Sequence, residues 1–125
     1  MKRDLDLVRD ILLIVEKADG TVYDAGLCDK RHGIERVALH VELMRERGLI
    51  EAKVDYDPGC DEPINIEIYR LTWEGYDYLD TIRSETVWRK AKAVIASAVG
   101  ETSLSVVKET CAMVATELIK AQIGA

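Results

Sequence analysis

Residues 40–83, HVELMRERGLIEAKVDYDPGCDEPINIEIYRLTWEGYDYLDTIR, decide the fold. The stretch opens at the end of a helix. Ile34, Val37, Val41 and Met44 recur at helical spacing in IERVALHVELMRER, and Gly48 stops the run. Glycine suits the position after a helix because it takes positive φ without steric cost. In IEAKVDY, Ile50, Ala52, Val54 and Tyr56 alternate with Glu51, Lys53 and Asp55, the period of a half-buried strand. In INIEIYRL, Ile64, Ile66 and Ile68 alternate with Asn65, Glu67 and Tyr69. DPGCDEP lies between, and its Pro-Gly pair marks a turn. The three pieces predict a helix running into a hairpin with a loose, acidic tip. Thr72 then ends the second strand and caps a further helix, WEGYDYLDTIR, whose Trp73, Tyr76, Leu79 and Ile82 are expected to face inward.

Before this stretch, Leu5, Val8, Leu12 and Val15 mark a first helix, flanked by Leu7, Ile11 and Ile14. Asp4 stands at its N-cap and Asp19-Gly20 stops it. Residues 21–33 read as either a short strand or a loose helix followed by a turn. After it, Ser84 or Thr86 begins a fifth element carrying Val87, Trp88, Ala91, Val94, Ile95 and Ala98, ended by Gly100. Thr102 or Ser103 caps a last helix with the stripe Leu104, Val107, Cys111, Val114 and Leu118. Ala112, Ala115, Ile119 and Ile123 add a second apolar flank. Helix, variable segment, helix, strand, loop, strand, helix is the order of a winged helix. The expected fold class is α+β and mostly helical. It has a winged helix-turn-helix core with a two-stranded wing over 1–85, and two extra C-terminal helices over 86–125 that pack on the core or form a dimer interface.

The segments MKRDLDLVRDIL, HVELMRERGLI and especially LTWEGYDYLDTIRSETVWRKAK resemble an uncharacterised family, a domain of unknown function found in bacteria, prophages and phages. The similarity covers about residues 1–95. It implies a mobile-element origin and a winged-helix-like fold, and nothing catalytic.

Composition agrees with one compact globular chain of 125 residues, 48% hydrophobic and 32% charged. Lys and Arg number 17 against 23 Asp and Glu, for a net charge of −6. Bulk charge therefore argues against coating nucleic acid or anionic membrane. No apolar run approaches the ~18 residues of a membrane span. Cys28, Cys60 and Cys111 are odd in number and widely spaced, with no CxxC pair, which suits a reducing, cytoplasmic setting. His32 and His40 lack ligand partners at zinc spacing, so no metal or cofactor is expected. There is no glycine-rich phosphate loop, nucleophile elbow or triad, and no enzyme is expected.

In most winged helices the helix before the wing enters the major groove. Here the outer face of that helix carries Glu35, Leu39, Glu42, Leu43 and Glu46. Arg36, His40 and Arg47 lie toward one edge and Arg45 toward the other. Phosphate contact needs cations, and base readout wants Arg, Lys, Asn or Gln. The wing would bring Asp55, Asp57, Asp61 and Glu62 toward phosphate. Lys30-Arg31-His32 and Arg89-Lys90-Lys92 are small basic clusters, read more readily as solvated charge. Leu39 and Leu43 either make a protein contact or are covered by residues 21–33. The favoured expectation is a non-enzymatic phage- or prophage-type module binding a protein, for instance to inhibit a host nucleic-acid-handling or defence system. Its candidate contacts are Leu39, Leu43, Glu35, Glu42 and Glu46. The alternative is a DNA-binding regulator using Arg36, His40, Arg45, Arg47, Lys30 and Arg31. A homodimer through Leu104, Val107, Cys111, Val114 and Leu118 is expected in either case.

Overall fold

A computed structural model describes residues 1–98 and 103–123. The elements run α1 (Leu5–Lys17), β1 (Val22–Tyr23), α2 (Asp24–Leu27), α3 (Ile34–Glu46), β2 (Ile50–Tyr56), β3 (Pro63–Leu71), α4 (Trp73–Ile82), α5 (Glu85–Ala98) and α6 (Leu104–Ile123). This is a mostly helical α+β fold, and its first six elements follow winged-helix order. The ambiguous segment 21–33 holds both a two-residue strand and one helical turn. The sequence could not separate them because neither is long enough to show a period. Two compact units are present, Met1–Asp77 and the chain from Tyr78 onward, with the boundary inside α4.

In the first unit the sheet is antiparallel in the order β1-β3-β2. Val22 pairs with Ile68, and Ala52 also faces Ile68 from the other side. Helices α1 and α3 cover one face of this sheet. Its core is Leu7, Ile11 and Leu12 from α1, Val37, Val41 and Met44 from α3, and Ile66 and Ile68 from β3. Each such side chain contributes about 1.5–3 kcal/mol by leaving water. The opposite face is polar. Asn65 donates to Asp55 at 3.1 Å, and Arg70 forks onto Glu51 at 2.9 and 2.7 Å. Ile64 departs from the alternation at 56% exposed, beside the register shift at Asp55 and Tyr56.

The turn from α3 into β2 fixes where the wing begins. The Gly48 amide donates to Arg45 O and the Leu49 amide to Met44 O, at 3.0 and 2.9 Å. That double closure is the Schellman motif, and it holds Gly48 at φ 82. Thr72 locks the same corner from the other side. Its amide donates to Leu49 O, its hydroxyl donates to Gly48 O, and the hydroxyl oxygen accepts the Gly75 amide. A Cβ on Gly75 would collide with the Leu49 carbonyl. The LT-x-x-G pattern is thus a cap plus a close backbone approach.

Two inward expectations on α4 need correcting. Trp73 is 79% exposed and Tyr76 46% exposed, while Tyr78, Leu79 and Ile82 are buried. Trp73 is the first residue of the helix, so its side chain leaves the capped corner rather than entering it.

In the second unit α5 and α6 pack along each other. Ser84 caps α5 through the Val87 amide and Ser103 caps α6 through the Val106 amide, both at 3.3 Å. The alternative cap Thr86 lies inside α5, whereas Gly100 and Thr102 lie outside the described residues. Val87, Trp88, Ala91, Ile95, Val107 and Cys111 are buried.

Gly75→Ala should lower unfolding stability by about 1–3 kcal/mol, the usual cost of forcing atoms into filled space. Gly20→Ala, where a Cβ meets nothing within 4 Å, is the control. Denaturant midpoints of the two variants should differ clearly; equal midpoints would show that the corner yields.

Candidate functional site

The surface in question is α3 with its two edges and the wing. Its first feature is how little of its positive charge faces outward. His40 is 0% exposed. Its Nε2 accepts the Asp4 backbone N–H at 2.8 Å, and its Nδ1 lies 2.7 Å from the Arg36 carbonyl oxygen. An amide can only donate, so Nε2 must be the bare nitrogen and Nδ1 must carry the proton. Both ring nitrogens are then satisfied only in the neutral form. His40 is therefore not a nucleic-acid contact, contrary to the expectation from its place at the helix edge. The helix turn it occupies points at the start of α1 instead.

Asp4 binds everything around it. One carboxylate oxygen caps α1 through the Leu7 amide at 3.2 Å, as its position before the helix predicted, and the other takes the Arg36 guanidinium at 2.9 Å. Burial pushes the Asp4 carboxyl up, but the hydrogen bonds and charge of Arg36 and the Leu7 amide outweigh it and hold it below the ordinary range. Burial likewise pushes the His40 imidazole below its ordinary value, with the Arg36 charge adding to it. Arg36 is thus engaged by the fold and only about a third exposed.

Arg45 and Arg47 are exposed near the end of α3, and Arg45 lies 4.0 Å from Glu42. Lys30 and Arg31 are exposed in the turn before α3, which Asp29 closes by accepting the Arg31 and His32 amides at 2.8 Å. Glu35 and Glu46 are exposed, and Glu42, Leu39 and Leu43 are half-buried. Sequence reasoning missed Tyr56, whose hydroxyl reaches Glu42 at 3.5 Å and sets an aromatic ring from the wing beside the α3 face. At the wing tip Asp57, Asp61 and Glu62 stay together: the Asp57 amide donates to Glu62 O at 2.7 Å, and the Asp61 amide to Asp57 O at 2.8 Å. Asp61 takes φ 56 to close this turn, and Cys60 is exposed on it.

Other sequence candidates do not converge. Among the described residues no three His, Cys, Asp or Glu side chains gather in metal-binding geometry. His32 is buried beside a 230 Å³ cavity that Asp10, Ile14, Leu27 and Asp29 also line. The centre of the last-helix stripe is closed. Val107 and Cys111 are fully buried within the chain, and Leu104, Val114 and Leu118 are half-buried. The exposed apolar residues of α6 are Val106, Met113, Ile119 and Ile123. No described helix is long and apolar enough to cross a membrane.

Residues 2–101 match the family model described as "Hypothetical protein (DUF2513)". An uncharacterized protein of Haemophilus influenzae is 34% identical over 122 residues, spanning 95% of this chain and 99% of its own. No solved structure matches. The chain belongs to the DUF2513 family.

Neutral His40 makes stability depend on pH. The unfolded chain binds a proton near the ordinary 6.5, and the folded chain only at lower pH. The unfolded state thus holds more protons in that window, and stability falls as pH drops below about 6.5. His40→Gln can still accept from Asp4 and donate to Arg36 O without titrating. Urea midpoints measured from pH 7.5 to 5 should fall more steeply for the parent than for His40→Gln. Equal slopes would show that His40 does not carry the effect.

Proposed function

We propose that this DUF2513 protein is a non-enzymatic binding module that uses the winged-helix frame to contact another protein. The observation that carries this reading is the commitment of two α3 edge residues to the fold. His40 is buried and neutral and Arg36 is held by Asp4, which leaves Arg45 and Arg47 exposed at the C-terminal end of the helix. A groove-reading helix needs those groups free for phosphate and base edges. What α3 offers instead is Glu35, Glu42 and Glu46 around half-buried Leu39 and Leu43, with Tyr56 alongside. Carboxylates around an apolar centre suit a protein partner with a basic rim. In a phage or prophage setting such a module would bind and block a host protein that handles nucleic acid. The acidic wing supports the same partner, because it would approach phosphate with like charge.

The second reading, a DNA-binding regulator, draws on the winged-helix order itself and on exposed Lys30, Arg31 and Arg47. Fold order alone is a weak guide to function.

Fluorescence titration with duplex DNA at physiological salt separates the two. The expected affinity is no tighter than the non-specific range of about 10⁻⁴–10⁻⁶ M. Leu39→Glu combined with Leu43→Glu should keep the circular dichroism spectrum and abolish a copurifying protein partner. A tight, sequence-specific complex lost on Arg47→Ala would overturn the protein-binding reading.

A further inference from the structure

We infer that a second copy of this chain docks on the groove between α5 and α6, so that the two pairs of helices close a four-helix layer. The groove is about 500 Å³ in volume. Val94 from α5 and Met113, Val114 and Leu118 from α6 line its apolar part. Val94 is 52% exposed and Met113 69% exposed, large values for apolar side chains sharing one concave surface. Two amphipathic helices packed side by side bury the seam between them and leave a face that needs a further layer.

Charge identifies the occupant. Lys90 lines the groove from α5 and Glu117 lines it from α6. Neither has an ion-pair partner among the described residues. A two-fold axis running along the groove lays α5 of each copy over α6 of the other, which brings Lys90 of each copy to the wall that carries Glu117 of the other. One surface then supplies both halves of the match, as an isologous interface requires. An unrelated acidic helix would satisfy Lys90 and leave Glu117 facing like charge, and a basic helix the reverse. Methionine adds adaptability, since its unbranched side chain fills irregular space. This interface shares Val114 and Leu118 with the Leu104–Leu118 stripe but not its centre, Val107 and Cys111, which is spent inside the chain, and it does not depend on what α3 binds.

Sedimentation equilibrium of the full chain at micromolar concentration tests it. The expected mass is twice 14.0 kDa. Met113→Glu should give a monomer with an unchanged circular dichroism spectrum. Lys90→Glu alone and Glu117→Lys alone should each weaken the dimer about tenfold, through repulsion repeated twice per interface. The double variant Lys90→Glu with Glu117→Lys should restore parental affinity, which a folding defect could not do. A parent that stays monomeric overturns the inference. So does a dimer indifferent to Met113→Glu, or one whose charge reversals fail to rescue each other.

Discussion

Asp4 joins the first helix to the third, and the character of the α3 surface follows from that junction. A single residue caps α1, holds Arg36 and gives its backbone N–H to His40. An aspartate N-cap is worth about 1 kcal/mol to its own helix. Here it also neutralises a guanidinium and satisfies a fully buried imidazole. Losing the Asp4 amide's hydrogen bond would leave the fully buried His40 Nε2 unmatched, at about 1–3 kcal/mol. The arrangement ties Arg36 and the neutral His40 of α3 into the fold.

A second junction sets the wing. Gly48, Leu49, Thr72 and Gly75 join the end of α3, the start of β2 and the start of α4 within a few backbone hydrogen bonds. With both junctions fixed, the sheet has α1 and α3 on one face and a lattice of side-chain hydrogen bonds on the other. The wing carries acid to its tip. The elements follow winged-helix order, while Arg36 and His40 of α3 are tied to Asp4. The fold positions α3, and the side chains decide what α3 can touch.

Much of this was legible in the sequence because it is local or periodic. The alternation in residues 50–56 and 64–71, the Gly48 stop and the Asp4 and Thr72 caps each depend on neighbours a few positions away. Arg36 and His40 were misjudged for the opposite reason. Their partner lies 36 and 32 positions upstream of His40 and Arg36 respectively, and no pattern along the chain announces it. Trp73 fell to a different cause: apolar character at helical spacing suggested the core, but the capped first turn directs that ring outward. Periodicity on α6 shows that a face is apolar without showing what meets it: Val107 and Cys111 at the centre of the stripe are buried within the chain, while Val114 and Leu118 line the α5–α6 groove. Tyr56 beside Glu42 is a contact across 14 positions between a strand and a helix, which only the tertiary structure supplies.

The claim that α3 spends its cationic edge on the fold rests on the state of one imidazole. Nitrogen-15 NMR of the His40 side chain reads that state directly, with and without duplex DNA. The account predicts a ring that stays neutral to lower pH than an ordinary histidine and carries its proton on Nδ1, with shifts that do not move when DNA is added. A ring that charges at or above the ordinary histidine range, a neutral ring with its proton on Nε2, or a shift that follows added duplex would contradict it.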